Sequence, residues 1–371
     1  MSRDVMNRDV MNSSEASRKL ASMRSEMSKS GLEAIRLRGV DWFAWATCGG
    51  NSAVILTGDT GIAEVLVTAQ NAYVLTNHIE AQRLREEEVP ADFEVLDFPW
   101  SEETFAYDRF VRDNVKGAVA SDRPLAGERS LPSGVVDAKR TFEPEEIERY
   151  RAIGRDAGLA MKEALEAADP TWTEDRLAGE GARAMWKRGL HPTLTLVAGE
   201  KRLKTRRHPF PSSAPLAGRA MLVYCARRAG LYANLTRFVY FRKPTPDELK
   251  HHDDLLLIEA AILNATKPGV ALRDCYQVLN ESYEKFGYHN EILQHHQGGT
   301  CGYLSRETVA TPSRAEVILE NSAVAWNPSL VGAKMEDTFL VTSRGLENLT
   351  AIDAWPSVSV DGRSRPWILT K

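Results

Sequence analysis

Residues 221–239, MLVYCARRAGLYANLTRFV, read as a β-hairpin: two apolar runs, 220–226 and 230–241, joined around Ala229-Gly230. No Asp or Glu occurs anywhere between Met221 and Phe241. Upstream, a charged helix opens at Pro144 and runs to about residue 169, where Pro170 follows it. A second helix follows Thr173, whose Thr-Glu-Asp start is a good cap. Downstream, 246–266 and 271–286 read as helices separated by Pro268-Gly269, and strands are expected at 323–326 and 338–342. Two helices, a hairpin, two helices and then strands is an α+β order, not a dinucleotide-binding one. No G-x-G-x-x-G opens a helix, and there is no Walker A pattern.

The front of the chain reads differently. Residues 14–30 predict a helix, with Leu20, Met23 and Met27 at spacings of three and four. Strand-like runs follow at 53–56, 62–68 and 72–75, punctuated by Gly58-Asp59 and Gln70-Asn71. Residues 78–88 look helical and 93–98 look extended, which together predict a smaller α/β domain. A boundary is expected within 132–144. The expected division is a tail at 1–13, an N-terminal domain at 14–140 and a C-terminal domain at 141–371. The tail holds a short tandem repeat, RDVMN at 3–7 and again at 8–12, too short for a solenoid unit and read either as a mobile tail or as a duplicated start.

Composition narrows the function class. The 371 residues are 43% hydrophobic and 26% charged, with a formal net charge of −4. That balance gives no reason to expect a nucleic-acid or membrane partner. No apolar run approaches the roughly 18 residues a bilayer span needs. The polar, Ser-rich start has no apolar h-region and reads as no secretory signal. Four cysteines (Cys48, Cys225, Cys275, Cys301) lack C-x-x-C spacing and read as free thiols of a cytoplasmic protein.

Three further segments accompany the hairpin: VAGEKRLKTRRHPFP at 197–211, HHQGGTCGY at 295–303 and AWNPSLVGAKMEDTFLV at 325–341. In this order the four segments resemble the catalytic domain of the creatinase, prolidase and aminopeptidase P superfamily, whose fold is called pita-bread. The resemblance covers about 230 residues from Glu143. It implies an α+β pita-bread C-terminal domain behind a smaller α/β N-terminal domain, and a homodimer. In that family two divalent metals activate a water and polarise a carbonyl, and they need several anionic ligands. Placed on the family pattern, the first aspartate position falls on Val223 and the second on Asn234. The histidine ligand falls on Gly299 and the first glutamate on Asn327, and only the last stays acidic, at Glu336. One carboxylate and two amides cannot balance two divalent ions, so no metal and no other cofactor is expected.

The remaining polar residues suggest what chemistry is left. His208 matches the family's substrate-side histidine, which in creatinase-like members moves protons without metal, and His295 matches another substrate-side histidine. His208 in a basic loop is otherwise a solvated histidine. His295 and His296 are read at the end of a strand, where adjacent side chains diverge, so only His295 is expected in the cleft. Lys334 and Glu336 share a strand face. They form either a surface ion pair of little worth or a buried pair whose ammonium takes over the positive charge of the lost metals. Asn234 and Asn327 offer neutral hydrogen bonding where acids once stood. Arg237 is expected to be internal and to favour a substrate carboxylate, whereas Arg227 and Arg228 read as solvent-facing. His208 and Glu336 are therefore the expected catalytic pair, with Asn234, His295, Asn327, Lys334 and Arg237 binding a small polar substrate. The leading expectation is metal-independent hydrolysis of a C–N bond. A non-catalytic binding or assembly role is the first alternative, and an Xaa-Pro metallopeptidase, which the missing acids argue against, is the second.

Overall fold

The computed structural model describes residues 13–371, so the RDVMN repeat lies outside the described residues. The chain forms two compact units that meet in sequence at Arg149 and Tyr150.

In the first unit, helix α1 (Ser13–Ser30) buries Leu20, Met23 and Met27, the stripe its spacing predicts. The strands are β1 (Ala34–Gly39), β2 (Thr60–Thr68), β3 (Ala72–Asn77), β4 (Glu94–Phe98), β5 (Val119–Ser121) and β6 (Arg129–Ser130). They form one mixed sheet in the order β4-β3-β2-β1-β5-β6. Helices α2 (Val40–Ala46), α3 (Glu103–Asn114) and α4 (Ser133–Arg140) complete the unit, with the start of α5 (Pro144–Ala167). Lys19 is buried on α1 and donates to Glu15, Glu146 and the Trp45 carbonyl, while Arg149 grips Glu15 with two 2.7 Å bonds. A buried ammonium is stable only with such partners.

Some sequence expectations fail here for visible reasons. Residues 53–56 are not a strand. They lie in a loop where Val54 and Ile55 are exposed and find no neighbouring strand. Strand β1 is not among the expected strands, although Ile35 and Leu37 alternate with Arg36 and Arg38 along it. Both arginines are nonetheless buried, satisfied by Glu64, Asp108 and Glu128. The helical stretch at 78–88 is a short turn at Ala81–Arg83 running into a wider turn at Leu84–Glu88. Helix α4 occupies most of the stretch read as a boundary.

The second unit continues α5 and adds α6 (Glu174–Trp186), where the Thr173 side chain accepts from the Arg176 amide as its cap. Strands β7 (His191–Gly199), β8 (Arg219–Arg228) and β9 (Leu231–Tyr240) form an antiparallel meander, and β8 and β9 are the hairpin read from the sequence. Helices α7 (Pro246–Ala265) and α8 (Leu272–Lys285) follow, α7 opening on a full capping box between Thr245 and Glu248. A second sheet has the order β11-β10-β12-β15-β16, from β10 (Gly298–Cys301), β11 (Thr308–Val309), β12 (Ser322–Trp326), β15 (Asp337–Thr342) and β16 (Gly345–Asn348). The short pair β13 (Ser329–Leu330) and β14 (Ala333–Lys334) links β12 to β15. The C-terminal ribbon is β17 (Ser357–Val360) and β18 (Arg363–Pro366), after which β19 (Leu369–Thr370) joins β9 in parallel. Helices α7 and α8 pack on the second sheet through Leu255, Ile258, Ile262, Leu279, Trp326 and Phe339. Helix α5 approaches so closely that a Cβ on Gly154 would sit 2.2 Å from the Leu349 carbonyl oxygen, which only glycine permits.

A buried charge network crosses this packing. Arg365 donates to both oxygens of Glu259 at 2.6 and 2.7 Å and lies 2.9 Å from Asp337, which also pairs with Arg237 at 2.7 Å. Burial pushes the Glu259 carboxyl pKa up. At Asp337 the same penalty is outweighed by Arg237 and Arg365, and its pKa falls. Removing one member leaves an uncompensated buried charge. Arg365→Met is therefore expected to lower unfolding stability in urea by about 3–5 kcal/mol. Arg365→Met with Glu259→Gln should recover part of that loss. A double-variant loss equal to the sum of the Arg365→Met and Glu259→Gln losses would show that the pair is not coupled.

Candidate functional site

The two sheets of the second unit are stitched together along β9 and the residues entering β15. The Thr236 amide donates to the Glu336 carbonyl at 3.1 Å, and the Asn234 amide donates to the Thr338 hydroxyl at 2.8 Å. The Thr338 hydroxyl in turn donates to the Asn234 carbonyl at 3.0 Å. The segment 234–237 thus faces 336–338 edge to edge, and the polar residues read from the hairpin and the KMED segment meet here.

Glu336 is the centre of this seam and is only 2% exposed. Its Oε1 accepts from Arg306 at 2.6 Å; its Oε2 accepts from the Thr236 hydroxyl at 2.8 Å and lies 3.1 Å from the Lys334 ammonium. Three of its roughly four acceptor positions are thereby used. Burial alone raises a carboxyl pKa, but Lys334 and Arg306, with the hydrogen bonds from Thr236 and Arg306, bring this one down to about 2. Lys334 is itself 4% exposed, so the pair is not the weak surface contact that was one of the two readings.

Arg306 was not among the residues singled out from the sequence. It lies in the loop between β10 and β11, and its only signal was scarcity: Arg306 and Arg314 are the sole cations between His296 and Lys334. A search for a second positive charge beside Glu336 leads to those two.

The histidines form a second group. His208 and His295 approach Nε2 to Nε2 at 2.7 Å, with rings edge to face at 4.5 Å. His296 stacks on His295 at 4.6 Å and 26°, and lies 5.6 Å from the His208 ring. The expectation that His295 and His296 diverge is therefore corrected. These residues precede β10 and follow a 3₁₀ turn at Glu291–Gln294, outside any ladder, so the pleat does not alternate them. The His295 Nδ1 contacts the His296 carbonyl, which can only accept, so Nδ1 carries the proton. In a neutral ring Nε2 is then the acceptor, and the His208 Nε2–H donates to it. Burial and the nearby Lys334 charge hold His295 neutral, with a pKa lowered to about 2. His208 and His296 keep exposed edges, yet surrounding protein removes enough water to lower both, His296 to about 4, with Lys334 and Arg306 adding to the effect. Arg207 pairs with Glu291 and ties the His208 loop to the His295 segment.

The other expected residues are placed as follows. Asn234 donates to the Ser305 carbonyl at 3.3 Å, and the Asn327 amide donates to the Gln297 carbonyl at 3.1 Å. Both side chains are buried, and among the described residues neither amide oxygen meets a donor. Arg237 is internal, and its guanidinium is committed to Asp337 and to the Thr236, Glu336 and Thr350 carbonyls. Val223 lies in an apolar cluster with Leu196, Met221 and Phe238. At Gly299 a Cβ would come within 2.0 Å of the Thr308 carbonyl oxygen, so no side chain fits on this backbone. Arg227 is not solvent-facing. It is buried over the Tyr232 ring, while Arg228 pairs with Asp156. All four cysteines are buried, and burial pushes the Cys225 thiol up to about 12 and Cys301 to about 11, which leaves both as unreactive thiols.

Glu336→Gln removes the charge that holds Lys334 and Arg306 together, and a loss of about 3–5 kcal/mol at pH 7 is expected. A depressed carboxyl pKa stabilises the fold above the unfolded value near 4.3, and this contribution is lost as pH falls toward about 2. The stability gap between wild type and Glu336→Gln should therefore be constant above about pH 5 and narrow below it. A gap unchanged from pH 6 to pH 3 in denaturant titrations would count against this charge assignment.

Comparison with known proteins sets the fold in context. An uncharacterized peptidase from Staphylococcus aureus strain MW2 is 28% identical over 124 residues, 32% of this chain and 35% of that protein. The match thus spans about a third of the length of such curated relatives. Among solved structures, an Xaa-Pro dipeptidase from Bacillus anthracis superposes with a TM-score of 0.76 at 18% identity, covering 96% of this chain and 100% of its own. A recombinant prolidase from Thermococcus sibiricus gives 0.77 at 16%, covering 97% and 100%. Likeness at this identity establishes the two-domain pita-bread architecture and no more. Metallopeptidase family M24 matches residues 148–343, more than half of the chain, and the chain belongs to that family.

Proposed function

We propose that this M24-family protein hydrolyses a C–N bond in a small polar substrate without the two-metal centre of the peptidases. The observation that carries the reading is the occupation of Glu336. Where the family places two cations among several acids, this chain has one carboxylate already bound by the Arg306 guanidinium and the Lys334 ammonium. The residues at the other ligand positions are Val223, Asn234, Gly299 and Asn327, and none offers an anion. Two divalent ions added beside two fixed cations and a single carboxylate meet net repulsion in a buried site. The donor set does not fit the pair of metals, and no step is routed through them.

The chain's own groups support a different division of labour. His208 donates through Nε2 to His295, which leaves the lone pair on its Nδ1 to take a proton from the attacking water and hand it to the leaving nitrogen as the C–N bond breaks. His295, held by the His296 carbonyl, fixes that tautomer. Lys334 and Arg306 supply fixed positive charge for the oxyanion that forms when a carbonyl or amidine carbon is attacked. Glu336 holds the two cations in place, and its remaining acceptor position orients substrate or water. The unpaired amide oxygens of Asn234 and Asn327 accept N–H groups of the substrate. Arg237, already committed to Asp337, serves the frame of the site. The family resemblance adds a homodimer to this reading, and four free cysteines support a cytoplasmic location. Likeness in fold to Xaa-Pro peptidases favours the metallopeptidase as the rival.

The discriminating experiment is a panel of small amides, guanidino compounds and Xaa-Pro dipeptides, run with and without chelator. Hydrolysis of a panel member should survive chelation and fall by about 10²–10⁴ in His208→Gln. Millimolar manganese should leave the melting temperature unchanged, since no carboxylate cage awaits it. Activity that chelator abolishes, manganese restores and Glu336→Ala removes would return the metallopeptidase to first place. Light scattering at micromolar concentration should give the mass of a dimer, and a monomer would remove that part of the reading.

A further inference from the structure

His208, His295 and His296 have a property the proposed hydrolysis does not use. One ring nitrogen from each can be chosen so that all three lie within 4.8 Å of one another, and among the described residues this is the one group of three such ligands found together. We propose that these three imidazoles form a mononuclear site for a borderline transition-metal cation such as Zn²⁺, Co²⁺ or Ni²⁺, separate from the carboxylate positions of the family's two-metal centre.

The chemistry of the donors supports this. Imidazole suits zinc, copper, nickel and cobalt, and three imidazoles with an open fourth position are an established way to hold zinc. Two ligands on one tetrahedral ion at about 2.0–2.1 Å lie about 3.3 Å apart, so the 2.7 Å between the His208 and His295 nitrogens must open by only about 0.6 Å. His295 already has the support a ligating histidine needs. Its Nδ1–H is held by a backbone carbonyl, so its Nε2 presents a lone pair. Gln297 grips the His295 carbonyl and is itself held by the Tyr283 hydroxyl at 2.9 Å, which stiffens the segment from behind. His208 and His296 are exposed, which gives an ion a way in.

The charges facing the cluster decide which ions fit. Lys334 and Arg306 against Glu336 leave one net positive charge beside the imidazoles. That excess works against magnesium, calcium and manganese, which bind imidazole weakly. It also calls for an anion, hydroxide or a carboxylate, in the open position of any ion that does bind. An ion bound here excludes the proposed hydrolysis, because it occupies the ring of His208 that the reaction needs free.

The test uses full-length, chelator-stripped protein. Titration with Co²⁺, followed by its visible absorption, and with Zn²⁺, followed by calorimetry, should each give one ion per chain. Excess magnesium should not displace either. His208→Gln and His296→Gln, both at exposed positions and expected to melt as wild type in chelator, should each weaken binding by at least about tenfold. His289→Gln, away from the cluster, should bind as wild type. Binding that is absent at micromolar metal, or undiminished in the His208→Gln/His296→Gln double variant, would overturn the site.

Discussion

A carboxylate buried to 2% exposure between a guanidinium, an ammonium and a hydroxyl holds this site in shape. Glu336 lies where the two sheets of the second unit meet, and its main chain takes the Thr236 amide while its side chain takes the Thr236 hydroxyl. The same residue therefore closes a backbone seam and gathers two cations. Its neighbour Asp337 does the matching work on the opposite face of the strand, pairing Arg237 and Arg365. Alternation along a strand lets one dipeptide serve two buried networks at once.

On the proposed reading, a pita-bread cleft can do without a pair of metals. Divalent cations in a pita-bread cleft offset acids that would otherwise repel one another. A chain without most of those acids has one carboxylate left to satisfy, and Lys334 and Arg306 satisfy it from within the protein. The positive charge then belongs to the fold and cannot be stripped by a chelator. Glycine at 299 follows the same logic. On that reading Gly299 presents no imidazole, and the backbone of β10 lies so close to the Thr308 carbonyl that no side chain fits there.

The histidines illustrate how loops acquire chemistry that strands cannot. His295 and His296 lie between a 3₁₀ turn and a strand, where no ladder imposes alternation, and their rings stack. His208 comes from a loop nearly ninety residues earlier and is held in place by the Arg207–Glu291 pair. Neutral rings, a fixed tautomer and exposed edges follow from that placement and not from the residues themselves.

The amino-acid sequence by itself determined a large part of this. The hairpin, the helices that flank it and the closing strands are local features, set by period, caps and Pro-Gly breaks, and each could be read in place. The absence of acids between Met221 and Phe241 is likewise a fact of sequence. What only the tertiary structure decided depends on contacts between distant segments. Strand β1 carries Arg36 and Arg38, whose burial makes sense only once Glu64, Asp108 and Glu128 come from elsewhere. The 53–56 run looked like a strand until no partner lay beside it. Arg306 is one polar loop residue among many until the fold brings its guanidinium to Glu336. Periodicity reports which face of an element is buried, but a charge finds its partner through the fold, and nothing local encodes that meeting.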